Sequence, residues 1–79
     1  MFTIIRFDSD SNIFMILKKD DVSGGFFKSL PIVVHGFIKI EGSSYIDSHV
    51  SYRNIADDVT TKALDNLVEL AKLEFFNMD

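Results

Sequence analysis

The feature that most constrains this chain is the apolar stripe near its C-terminus. From about Asp57 to Phe76, apolar residues fall at Val59, Ala63, Leu64, Leu67, Val68, Leu70, Ala71 and Phe75. At the helical rotation of about 100° per residue they cover roughly half of a helix circumference. Lys62, Asp65, Glu69 and Lys72 lie opposite. Asn54, Asp57 or Asp58 is placed to cap the start, where acids also suit the helix dipole. About twenty residues rise roughly 30 Å, enough to cross a four-stranded sheet. A half-apolar helix has to bury that stripe on something, and the rest of the chain reads as strands.

Four β segments precede the helix. Residues 2–7 and 13–18 are rich in Ile and Phe and are separated by Asp8-Ser9-Asp10-Ser11-Asn12. A polar cluster between two apolar runs is a hairpin loop. This loop sets Phe7 opposite Ile13, Ile5 opposite Met15 and Thr3 opposite Leu17. The other side carries Phe2, Ile4, Arg6, Phe14, Ile16 and Lys18. Both faces are apolar in the middle, so both need cover: the chain's own helix, a neighbouring copy or a partner.

Residues 32–41 and 45–53 read as a second hairpin around Gly42-Ser43-Ser44. A three-residue loop predicts Ile40 with Ile46, Ile38 with Ser48, Gly36 with Val50 and Val34 with Tyr52. It also pairs Lys39 with Asp47 and Phe37 with His49, with His35, Tyr45 and Arg53 on the same side. The opposite charges of Lys39 and Asp47 favour this register. Between the hairpins, Ser23-Gly24-Gly25-Phe26-Phe27-Lys28-Ser29-Leu30-Pro31 sets two rings beside two glycines. A helical turn is expected near Phe26–Leu30, and Pro31 suits the start of the third strand. If the segment is extended, consecutive rings point to opposite sides, leaving one of them as an exposed anchor. The fold class expected is α+β: an antiparallel sheet of about four strands with one C-terminal helix on one face, in a single domain spanning residues 1–79.

Composition narrows the function. Apolar residues are 47% of the 79 and charged residues 25%, a globular rather than a disordered balance. There is no cysteine, which removes disulfides and thiolate metal sites and suits a reducing compartment. The N-terminus shows no secretory pattern, and no run is long enough to span a bilayer. A cytoplasmic protein away from membranes is expected. The net charge is −4 and the eight basic residues are scattered, which argues against direct nucleic-acid binding.

Tests of specific chemistry return little. Asp8-x-Asp10-x-Asn12 begins like a calcium loop, but Ile13 and Lys19 stand where that loop needs Gly and Glu. His35, His49 and Asp47 would start a zinc site without a fourth ligand. No serine sits in a nucleophile elbow, and the pairs Asp8/Asp10 and Asp57-Asp58 suit a turn and a helix start. Gly24-Gly25 lacks the phosphate-loop Lys. No catalytic residue, metal or cofactor is assigned, and the chain is expected not to be an enzyme.

A protein-binding role remains. Phe26, Phe27, Phe37, Tyr45 and His49 are the candidate partner contacts, because aromatic residues dominate interface energetics. The partner expected is a larger protein or complex, inhibited or modulated by steric occlusion. In style the chain resembles short inhibitors made by phages and mobile elements, such as anti-CRISPR or host-takeover proteins: small, acidic, cysteine-free and without catalytic motifs. The alternative is a structural or regulatory homo-oligomer, such as a homodimer, touching through Phe2, Ile4, Phe14, Leu73 and Phe76.

Overall fold

The computed structural model describes residues 1–19 and 33–77. Strands β1 (Phe2–Arg6), β2 (Ile13–Lys18), β3 (Val34–Glu41) and β4 (His49–Arg53) precede helix α1 (Thr61–Phe75). The strands form one antiparallel meander in the order β1-β2-β3-β4. The chain is therefore α+β, with α1 packed against β1 and β3. The expectations for Phe26 and Phe27, the turn to Leu30 and Pro31 lie outside the described residues.

The first hairpin has the expected register. Ile5 pairs with Met15 and Thr3 with Leu17, and the Phe7 amide donates to the Ile13 carbonyl at 2.8 Å. The loop is built by its polar side chains. Asp8 Oδ1 accepts from the Asp10 amide and Ser11 Oγ from the Ile13 amide, both at 3.0 Å. The Asn12 amide group donates to the Ile40 carbonyl at 2.7 Å, fastening the loop to β3. The side chains that begin like a calcium loop are thus spent partly on backbone groups, as turn-forming Asp, Ser and Asn commonly are.

The second hairpin differs from the expected register by four residues. Ile40 pairs with Val50, Ile38 with Tyr52, Lys39 with Ser51 and Glu41 with His49. The expected Lys39–Asp47 pair does not form, and β4 starts at His49 rather than residue 45. The cause is Asp47. Its carboxylate accepts from the Ser44 amide and hydroxyl, both at 2.8 Å, and from the Ser43 hydroxyl at 3.0 Å. Ser48 Oγ donates to the Tyr45 carbonyl at 3.0 Å. These bonds turn residues 43–48 into a loop. Gly42 opens it at φ +141°, where a Cβ would also meet Ser48 Cα at 2.7 Å. An even shift leaves side-chain parity intact, so the strand faces survive.

The helix begins later than expected. Thr60 caps it, with its hydroxyl accepting from the Ala63 amide at 3.2 Å. Asn54, Asp57 and Asp58 precede the cap. At the far end the Phe76 amide donates to the Lys72 carbonyl, and Asn77 takes the left-handed conformation at φ 54° that commonly closes a helix.

The core lies between α1 and one sheet face. Phe14, Ile16, Ile38 and Ile40 are at most 1% exposed. Leu67, Val68, Ala71 and Val59 complete the cluster, with Phe2, Ile4, Val50, Leu64, Phe75 and Phe76 around it. Arg6 sits at the rim between two rings, its guanidinium 5.3 Å from the Phe14 centroid and 5.5 Å from that of Phe75. It donates to the carbonyls of Ser9 and Glu74, joining the hairpin loop to the end of α1. A cation at helix C-terminal carbonyls is favoured by the dipole.

The two faces should respond differently to truncation. Phe14→Ala should cost about 3–5 kcal/mol in urea unfolding. Phe7→Ser, on the opposite face and 59% exposed, should cost about 1 kcal/mol or less.

Candidate functional site

The face away from α1 is ordered in rows by the strand register. One row reads Ile5, Met15, Phe37, Arg53 from β1 to β4. The next reads Phe7, Ile13, Lys39, Ser51, with Phe7 joined through its amide to Ile13. Beyond them Glu41 stands opposite His49. The first row stays apolar through Phe37 on β3 and turns cationic at Arg53 on β4, whereas the second turns from apolar to polar at Lys39 on β3. Ile5 is 41% exposed and Phe7 59%. A shallow groove of about 320 Å³ runs between the rows, lined by Phe7, Ile13, Phe37, Lys39, Ser51, Arg53 and Asn54.

The charges on this face are unequally satisfied. Lys39 Nζ lies 2.9 Å from Glu41 Oε1. That hydrogen bond, with the Lys39 charge, holds the Glu41 carboxyl below its ordinary value. Among the described residues no carboxylate pairs with Arg53, which is exposed. The chain turns away directly after it, at Asn54 with φ 55°.

Phe37 and His49 stand on this face, as the sequence pattern implies, while Tyr45 and His35 do not. Tyr45 turns to the helix, where its hydroxyl donates to the Glu69 carboxylate and Lys72 Nζ lies 5.5 Å from its ring centroid. The Glu69 hydrogen bond raises the phenol above its ordinary value, with desolvation and the Glu69 charge acting the same way. Phe26 and Phe27 are outside the described residues.

His35 is redirected by a bulge. Ile16 pairs with Gly36 but Leu17 with Val34, so His35 is the extra residue. A bulged strand re-aims its side chains. The imidazole meets Phe2 edge-on at 5.4 Å, and Nδ1 lies 3.4 Å from Asp58 Oδ1. Lys18 Nζ is 3.3 Å from Asp58 Oδ2. The His35 carbonyl accepts from the Ala56 amide at 2.7 Å. His35 and His49 therefore occupy opposite ends of the second hairpin, and the zinc arrangement considered from sequence does not assemble. Among the described residues, no three His, Cys, Asp or Glu side chains gather as a metal site. The sequence signal for this bulge was Gly36. A Cβ there would lie 2.5 Å from Ile55 Cδ1 and 3.1 Å from the Asn54 carbonyl oxygen. Glycine inside a strand often marks a close backbone approach.

The residues read as oligomer contacts are largely used within the chain. Phe14 is fully buried under α1. Phe2, Ile4 and Phe76 pack against the core, and Phe76 also meets Phe75 edge-on at 4.9 Å. Leu73 remains 38% exposed. No helix among the described residues is long and apolar enough to cross a membrane.

Comparison of the chain with protein-family models, with curated proteins and with solved structures found no match.

Asp58 gives a pH prediction. Partial desolvation pushes its carboxyl up, but the Lys18 hydrogen bond and the charges of His35 and Lys18 outweigh this, so its pKa is lowered on folding. A depressed folded pKa stabilises the protein above the unfolded value, and that contribution is lost as pH falls through the folded one. The Tm should therefore drop as pH is taken below about 4. Asp58→Asn should lower the Tm at neutral pH and flatten this acid limb, as followed by thermal melts across a pH series.

Proposed function

We propose that this protein is a small protein-binding module that docks through its outer sheet face on a larger protein or complex and blocks it by steric occlusion. The observation that carries the reading is the exposed apolar patch of Ile5 and Phe7, which continues into Ile13 and Phe37 while α1 lies on the other side. Contiguous apolar surface rimmed by polar groups marks interaction sites on small soluble domains. The face has an apolar centre, an aromatic residue and an arginine, the residue types that carry most interface energy. An inhibitor of the phage or mobile-element type, working in the cytoplasm, fits this surface together with the absence of cysteine. No catalytic constellation is proposed.

A homodimer is the second reading, favoured by Leu70 and Leu73, which lie three residues apart on α1 and are 51% and 38% exposed. Light scattering separates the two. A monomer throughout the micromolar range counts against self-assembly.

The test of the main reading is an affinity capture from source-cell or host lysate with quantitative mass spectrometry. Wild type is run beside a folded Phe7→Ser/Ile5→Ser variant and a Leu70→Ser/Leu73→Ser variant. One stoichiometric partner should be retained by the helix variant and lost from the outer-face variant. Retention of the partner by the outer-face variant would refute the reading.

A further inference from the structure

Resting on the docking face proposed above, we infer that the segment it receives is an acidic, apolar-anchored protein segment, with its carboxylates over Lys39 and Arg53 and its apolar side chains over Ile5, Phe7, Ile13, Met15 and Phe37. The argument starts from the two rows. Ile5-Met15-Phe37-Arg53 and Phe7-Ile13-Lys39-Ser51 run in the same direction, apolar to polar or cationic. A ligand lying across them meets hydrocarbon on one flank and positive charge on the other. This polarity is unexpected in a chain of net charge −4. Three other described cations are committed elsewhere, while Lys19 and Lys62 lie off this face's rows. Arg6 is held by Phe14, Phe75 and the Glu74 carbonyl, Lys18 is on Asp58, and Lys72 is over Tyr45. Lys39 is shared with Glu41, an exposed pair of the kind that costs little to rearrange. Arg53 has no such partner among the described residues, and its planar fork suits a carboxylate.

Two other occupants fit less well. A second copy placed face to face would have to supply a carboxylate to Arg53. Glu41 is the one acid among the described strand residues of this face, so a copy would bring a single strand carboxylate against the two cations Lys39 and Arg53. A nucleic acid would bring continuous phosphate charge past Asp8 and Asp10, both exposed beside Phe7, whereas phosphate binding requires clustered cations. An acidic peptide places its charge only where the cations are.

The test is selection from a displayed random peptide library on the intact protein, followed by affinity measurement of the recovered peptides as synthetic probes. The probes are measured on wild type, Arg53→Glu, Arg53→Lys and Phe7→Ser, each first confirmed folded by circular dichroism, with Ile5→Thr replacing Phe7→Ser if the latter unfolds. Recovered peptides should carry Asp or Glu beside large apolar residues. They should lose at least about tenfold in affinity on Arg53→Glu, recover most of it on Arg53→Lys, and weaken as salt is raised. Neutral or basic peptides that ignore Arg53→Glu but are lost on Phe7→Ser would overturn the acidic assignment and leave the docking face standing. Peptides bound equally well by Phe7→Ser would overturn the docking face and this inference together. Recovery of no peptide, or tighter binding of single-stranded RNA that depends on Arg53, would overturn the inference as well.

Discussion

One helix covers one face of a sheet, and this chain has a four-stranded sheet whose first hairpin is apolar on both. The helix α1 takes the face bearing Phe14, Ile16, Ile38 and Ile40, and these four side chains are at most 1% exposed. What remains on the other side follows from period-2 alternation: burying Phe14 and Ile16 inward turns Ile13 and Met15 outward. The exposed patch is thus the counterpart of the core rather than a separate feature. Substituting it with polar residues would leave the core as it is.

The closures around the sheet are polar and local. Arg6 ties the first hairpin loop to the end of α1 through the carbonyls of Ser9 and Glu74. Asp58 ties the end of β2 to the β3 bulge through Lys18 and His35. Tyr45 ties the β3–β4 loop to α1 through Glu69. The Arg6 and Tyr45 contacts join segments whose backbones are not strand-paired, whereas the Asp58 contact adds to the β2–β3 pairing. With the core formed by α1 and one sheet face, such ties help fix the helix across the strands. None is aimed at the outer face, which leaves that surface free of the charges that hold the fold.

Much of this architecture was legible in the sequence, because it depends on parity and periodicity. The first hairpin register, the α+β class and the helical stripe each follow from the placement of apolar residues. The second hairpin was legible only as far as its faces. Opposite charge at Lys39 and Asp47 pointed to a tight three-residue loop. The carboxylate instead found three closer donors on Ser43 and Ser44, and local hydrogen bonds of this kind compete effectively with strand pairing. Thr60, and not an upstream Asp or Asn, is the helix cap, and Asp58 instead faces Lys18 and His35. The side of His35 was not legible from alternation alone, since a bulge breaks the alternation. On the outer face, Phe37 and His49 were readable from the strand pattern. Phe7 and Arg53 acquired their place through the register, which sets them in two adjacent rows.

The central claim is that the helix seals one face of the sheet and leaves the Ile5 and Phe7 end of the other open to a partner, while Leu17 at the opposite end of that outer face is buried. Methyl NMR with a soluble paramagnetic agent tests it directly, because relaxation reports the approach of the agent to each isoleucine in solution. The account predicts strong broadening of Ile5, with Ile16, Ile38 and Ile40 protected at every protein concentration. Equal protection of Ile5 and Ile38 in the dilute monomer would contradict it, since the outer face would then be covered by the chain itself.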